Sequence, residues 1–171
     1  MTMPPRLRKF ALTAHVISSV GWLGAIAVFL ALSVAGLTIQ DAQVVRAAYL
    51  AMELTAWSVL VPLSLASLLT GLVQSLGTPW GLFQHYWILV KLLLTIFATI
   101  VLLMYTQTIG YIAGLAAESA DLRELRNPSP VLHAGVALLV LLVTTTLAVY
   151  KPRGRTPYGW RKQHEQAVSQ P

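Results

Sequence analysis

The sequence contains no cysteine. Disulfides, thiolate metal sites, iron–sulfur clusters and covalently attached c-type haem are therefore excluded. Charge is scarce as well: 11% of the residues are charged, 6 Asp and Glu against 12 Lys and Arg. A soluble domain carries about 25%. Also missing are a Walker loop, a nucleophile elbow, an HExxH helix, a Rossmann fingerprint, a repeat and a heptad pattern.

What fills the chain is apolar. Of 171 residues, 56% are hydrophobic, gathered in four blocks at about 10–37, 48–75, 86–113 and 131–150. Each reaches or approaches the ~20 residues a helix needs to cross ~30 Å of hydrocarbon. The blocks are apolar all round, unlike the striped helices of a soluble core. They predict an all-α membrane protein, a four-transmembrane-helix up-down-up-down bundle over 1–150, followed by a flexible basic tail over 151–171. MTMPPRLRK offers a basic leader and SVA at 33–35 a faint cleavage site. The first apolar run is about twice the length of a signal-peptide core, so it reads as a retained helix.

Charge predicts orientation. Arg6, Arg8 and Lys9 precede the first block, and Lys151, Arg153, Arg155, Arg161 and Lys162 follow the fourth. The opposite side receives only Arg46, Arg123 and Arg126. By the positive-inside rule both termini are cytoplasmic. The net charge of +6 then reflects orientation and attraction to the lipid bilayer, not nucleic acid. Tyr158 and Trp160 among the basic residues of the tail read as an interfacial anchor. Of the connections, TIQDAQVVRA (38–47) and ESADLRELRNPSP (118–130) lie outside, the latter with room for one amphipathic helical turn. GTPWG (77–81) makes a tight inner turn.

Function in such a chain is sought among ionisable groups inside the blocks, which are costly to bury. His15, Glu53, Lys91 and His133 qualify. His85 stands at the interface beside Tyr86 and Trp87, and His164 is solvated in the tail. His15 lies six residues past Lys9 and Lys91 six past His85, each roughly 9 Å deep at 1.5 Å per residue. Glu53 and His133 enter from the other side. Depth thus permits an inner His15/Lys91 pair and an outer Glu53/His133 pair.

Phase adds stripes. His15 and Trp22 fall within ~20° of each other around their helix, with Ser18 and Ser19 between and Gly21 and Gly24 alongside. Glu53 and Trp57 share a face that continues through Leu60 and Ser64 to Gly71, while Lys91 leads through Thr95 and Thr99 to Thr106. Plainer readings stand beside these. Small and hydroxyl residues pack membrane helices, and Lys91 can snorkel to the surface. Glu53 can be hydrated, and His133 can share a hydrogen bond across helices. Pro62 leaves the carbonyl of Ser58 without its usual donor and is expected to kink the second helix.

A bundle core can hold haem b where a histidine supplies an axial ligand. His15 is the first candidate for the iron, with Lys91 or His85 as second ligand, and the propionates would meet Arg6, Arg8, Lys9 and Arg153. Three matched donors for zinc or copper are hard to assemble. A transporter of this size needs an oligomer to build a path, and a homo-oligomer is open.

HVISSVGWLG (15–24), PLSLASLLTGLVQSLGTPWGLFQHYWILVKLLL (62–94) and VYKPRGRTPYGWRKQ (149–163) resemble an uncharacterised family of predicted bacterial integral membrane proteins, a domain of unknown function. More distantly, the chain is similar to HemJ-type protoporphyrinogen oxidases and to CopD-like copper-resistance membrane domains. The likeness rests on the H…W-x-G pattern of His15, Trp22 and Gly24, on Trp87, Lys91 and Leu92, and on Met52 with Glu53. It implies a role in haem binding for His15 and Lys91. The arginine- and tyrosine-rich continuation of the oxidases' first helix is absent here, where GAIAVFLALSV follows. The expectation is a haem b protein for electron transfer or oxidation of a lipophilic substrate, a membrane oxidoreductase if an enzyme, partnered by a quinone, a porphyrin or a redox protein. The alternatives are a non-catalytic membrane subunit or assembly factor, and a small oligomeric transporter.

Overall fold

The computed structural model describes residues 3–77, 81–118 and 125–168, the side chains of 166 and 167 excepted. The centre of the GTPWG turn and residues 119–124 of the 118–130 link, Arg123 included, lie outside the described residues. The described chain is helical, with no strand beyond one isolated bridge.

Helix α1 spans Pro5–Thr38. It opens with proline, whose missing N–H costs nothing at a helix start. Helix α2 spans Ala42–Thr55 and is capped by Asp41, whose carboxylate accepts from Gln43 N at 2.8 Å and Val44 N at 3.3 Å. A π-helical turn, Ala56–Leu60, joins it without a break to α3, Val61–Gly77. The cause is Pro62, which has no N–H and whose ring crowds the carbonyl of Ser58. Val61 N–H bonds back to Ala56 O, five residues away. One extra residue is thereby absorbed in the ladder. Helix α4 spans Tyr86–Glu118, α5 Ser129–Tyr150 and α6 Pro157–Val168.

Four helical stretches are long and apolar enough to cross a membrane: Pro5–Thr38, Ala42–Gly77, Tyr86–Glu118 and Ser129–Tyr150. Each contains the apolar block expected there and extends beyond it at one or both ends, except that the fourth closes at Tyr150 and the third opens at Tyr86 as expected. Only 11% of the most apolar window of α4 is buried inside the bundle. Phe10, Leu93, Phe97, Met104 and Val149 are all at least 60% exposed. Such a surface suits lipid, not water.

The helices α1 and α4 each pack against the α2–α3 span and against α5. The core runs through Trp22, Ile26, Phe29, Tyr49, Met52, Leu60, Tyr105 and Ile109. Tyr49 packs on Gly36, where a Cβ would sit 3.0 Å from the ring, and donates its hydroxyl to the carbonyl of Leu125 at 2.6 Å. Arg46 donates Nε to the carbonyl of Ala116 at 2.6 Å, tying α2 to α4. Two buried hydroxyls are satisfied within their own helices: Ser33 bonds Phe29 O at 2.7 Å and Thr99 bonds Thr95 O at 2.8 Å.

After α5 the chain leaves through Lys151 in a left-handed conformation (φ 44°) and returns to the segment before α4. Thr156 N donates to Gln84 O at 3.0 Å, Tyr86 N to Gly154 O at 3.4 Å, and the Thr156 hydroxyl to Phe83 O at 2.5 Å. Gly159 packs directly on the Gln84 carbonyl, where a side chain would collide. The start of the basic tail is thus bonded to the entry of α4.

Candidate functional site

Between α1, α3 and α4 lies a cleft of about 130 Å³, lined by His15, Ser67, Gly71, Gln74, Lys91 and Thr95 among others. The inner pair anticipated by depth, His15 and Lys91, shares this cleft. His15 rests on Gly71: a Cβ there would lie 3.0 Å from His15 Cε1 and 3.4 Å from Nδ1. The ring is further held through Nδ1, 3.1 Å from both Ser67 O and Thr70 Oγ1. A carbonyl only accepts, so the Nδ1 proton is fixed there, and in the neutral ring Nε2 carries the lone pair. Thr70 spends its own hydroxyl proton on Ala66 O at 2.6 Å, which leaves its oxygen free to accept from His15. Ser19 and Ser67 join across the same helix pair at 2.8 Å.

Lys91 Nζ stands 5.7 Å from the centre of the Trp87 ring, within cation–π range. Among the described residues, no aspartate or glutamate lines the cleft. Gln74 also lines it, and its Nε2 is buried without a hydrogen-bond partner among the described residues. Sequence reasoning passed over Gln74. Its signal is the spacing of Ser67, Gly71 and Gln74, a polar and small-residue stripe at helical period in an otherwise apolar run.

The other candidates lie elsewhere. His85 does not line the cleft; its backbone forms the bridge to Arg155, and its ring is tilted 50° to Trp87 at 6.3 Å. Trp22, expected on His15's face, lines a second cavity of about 250 Å³. Gly21 packs on Leu63, while Gly24 faces open space. Glu53 lies half-buried against α4, its Oε1 3.3 Å from where a Cβ on Gly110 would be, and Trp57 is 55% exposed. His133 stacks on Tyr105 at 3.9 Å and bonds Ser129 O through Nδ1 at 2.9 Å. No hydrogen bond joins Glu53 to His133 among the described residues. There too, no three His, Cys, Asp or Glu side chains could hold a metal ion.

The cleft meets one requirement of a haem and fails another. The donor suits it: a histidine fixed through Nδ1 to a carbonyl presents Nε2 as metal-binding histidines do. The space does not. About 130 Å³ falls below the ~300 Å³ at which small-molecule pockets begin. A porphyrin ring does not fit between these helices as they stand. Compared with family models, curated proteins and solved structures, the chain matches none.

Proposed function

We propose that the chain is a multi-pass protein of the bacterial inner membrane, an up-down-up-down bundle with both termini cytoplasmic, that binds a membrane-soluble acid by its carboxylate. The head enters the cleft beneath His15 and Lys91; the lipophilic body stays in the bilayer. One observation carries this reading: a lysine inside a membrane span lines a cleft that no carboxylate lines among the described residues. A cation in that setting calls for a counter-charge. Gln74 Nε2, on a residue of the same cleft, has no acceptor among the described residues, and a volume of about 130 Å³ takes a head group. The basic residues at both ends support the orientation.

Porphyrins with free propionates belong to this ligand class. Haem b is the narrower reading, supported by the fixed tautomer of His15 and by the HemJ-type likeness. It requires α3 and α4 to part, and its signature is a Soret band that His15→Ala abolishes.

The test is titration of nanodisc-embedded protein with lauric acid and with metal-free protoporphyrin IX, against empty nanodiscs. Saturable binding of at least one acid, weakened on the order of tenfold or more by Lys91→Met, supports the reading. Binding no stronger than to empty nanodiscs sinks it and favours a non-catalytic subunit, in which His15 and Lys91 only tie helices together.

A further inference from the structure

The second cavity has a sealed back and an open front. Its back wall is Trp22, Ile26 and Phe29 of α1 with Leu60 of the π-helical turn, each no more than 4% exposed. Its front is the seam between α4 and α5, where Phe97, Leu132 and Val136 are 60%, 66% and 53% exposed. A buried back behind an exposed rim makes a slot in the lipid-facing surface, not a closed void.

The lining selects for carbon. Tyr105 directs its hydroxyl at Ser129 Oγ, 3.0 Å away, and His133 Nδ1 lies 2.9 Å from the Ser129 carbonyl. Trp22 shows the slot only ring carbon, because its Nε1 is sealed in the core. No Asp, Glu, Lys or Arg lines the slot among the described residues. An apolar cavity of ~150 Å³ already stays dry, and this one measures about 250 Å³. Left empty, its walls would forfeit dispersion contacts that a neighbouring hydrocarbon restores.

Shape and depth narrow the occupant. The lining runs from Phe97 to Ile109 on α4 and from Leu132 to Val140 on α5. At 1.5 Å per residue that is roughly 18 Å and 12 Å, so the space is drawn out along the helix axes. It begins three residues past Ser129, the first residue of α5, and so lies in the half of the span on that side.

We propose that this slot binds one hydrocarbon chain of a membrane lipid, drawn from the leaflet at the Ser129 end of α5, with the headgroup left at the surface. The slot shares no lining residue with the cleft, and the inference does not rest on the function proposed there.

The experiment is photolabelling in nanodiscs of phosphatidylethanolamine and phosphatidylglycerol. A minor share of phosphatidylcholine carries a diazirine near the middle of one chain, and mass spectrometry maps the adducts after illumination. Lipid around the bundle reaches exposed residues such as Leu93 and Met104. A chain seated in the slot also labels Ile26 and Phe29, which are 4% and 3% exposed. In Ala137→Phe, which fills the slot, the adducts on α1 are lost while those on Leu93 and Met104 remain. Adducts confined to exposed residues of the unaltered protein overturn the proposal, whatever the variant does. So do adducts on Ile26 and Phe29 that Ala137→Phe leaves in place, since the chain then reaches α1 by another route.

Discussion

His15 and Gly71 are in direct contact: the imidazole of α1 lies on the bare backbone of α3, with no room for a methyl group between them. That contact sets the height of the ring in the cleft, while the bond to the Ser67 carbonyl sets its rotation. Gly71→Ala is expected to displace the ring by a few tenths of an ångström, and Gly71→Val to expel it. The larger change should cost about 1–3 kcal/mol, as overpacking does. Thermal unfolding in detergent measures this, and a transition unchanged in Gly71→Val would contradict the contact.

Tyr49→Phe keeps the ring over Gly36 but removes one of two donors to the Leu125 carbonyl, leaving only Asn127 N at 2.8 Å. A loss of about 1–2 kcal/mol is expected. Gly36→Leu should be worse, because it drives a side chain into Tyr49. Unfolding by SDS titration ranks the two, and the reverse order would be inconsistent with the packing.

The π-helical turn makes an unusual deletion tolerable. Removing Val59 together with Pro62→Ala takes out the surplus residue and its cause, letting α2 and α3 continue as one regular helix. Removing Leu50 instead rotates everything after it by ~100° at 3.6 residues per turn. The first protein should remain monodisperse in detergent chromatography and the second should not.

Orientation can be read because the chain has no cysteine. Gln43→Cys and His164→Cys place single thiols at exposed positions of the α2 start and of α6. A membrane-impermeant maleimide added to intact spheroplasts should label Cys at 43 and spare Cys at 164 until the cells are lysed. The opposite pattern would invert the bundle.

Much of this architecture is legible from composition, because a helix that crosses hydrocarbon must be long and apolar, and both properties are countable. Helix ends are less so. The second span opens at Ala42 rather than 48 because Asp41 caps it and Arg46 spends its charge on a carbonyl of α4; polar residues there read as loop. Depth matched His15 with Lys91, since it follows from counting residues. Which way a helix faces does not follow from counting. Trp22 consequently lines a different cavity from His15, although seven residues separate them. The π-helical turn was hidden because Pro62 acts on the residues before it, and sequence alone shows the proline without the extra residue that relieves it.

The bonds from Thr156 to Phe83 and Gln84 join positions as far as 73 residues apart. At 5–20 residues per second, a ribosome needs roughly 4–15 s to make that interval. During that time α4 and α5 are threaded into the bilayer while the entry of α4 still lacks its partner. One wall of the cleft is therefore secured last, so a nascent chain stalled before Thr156 would carry all four spans and an unlatched site.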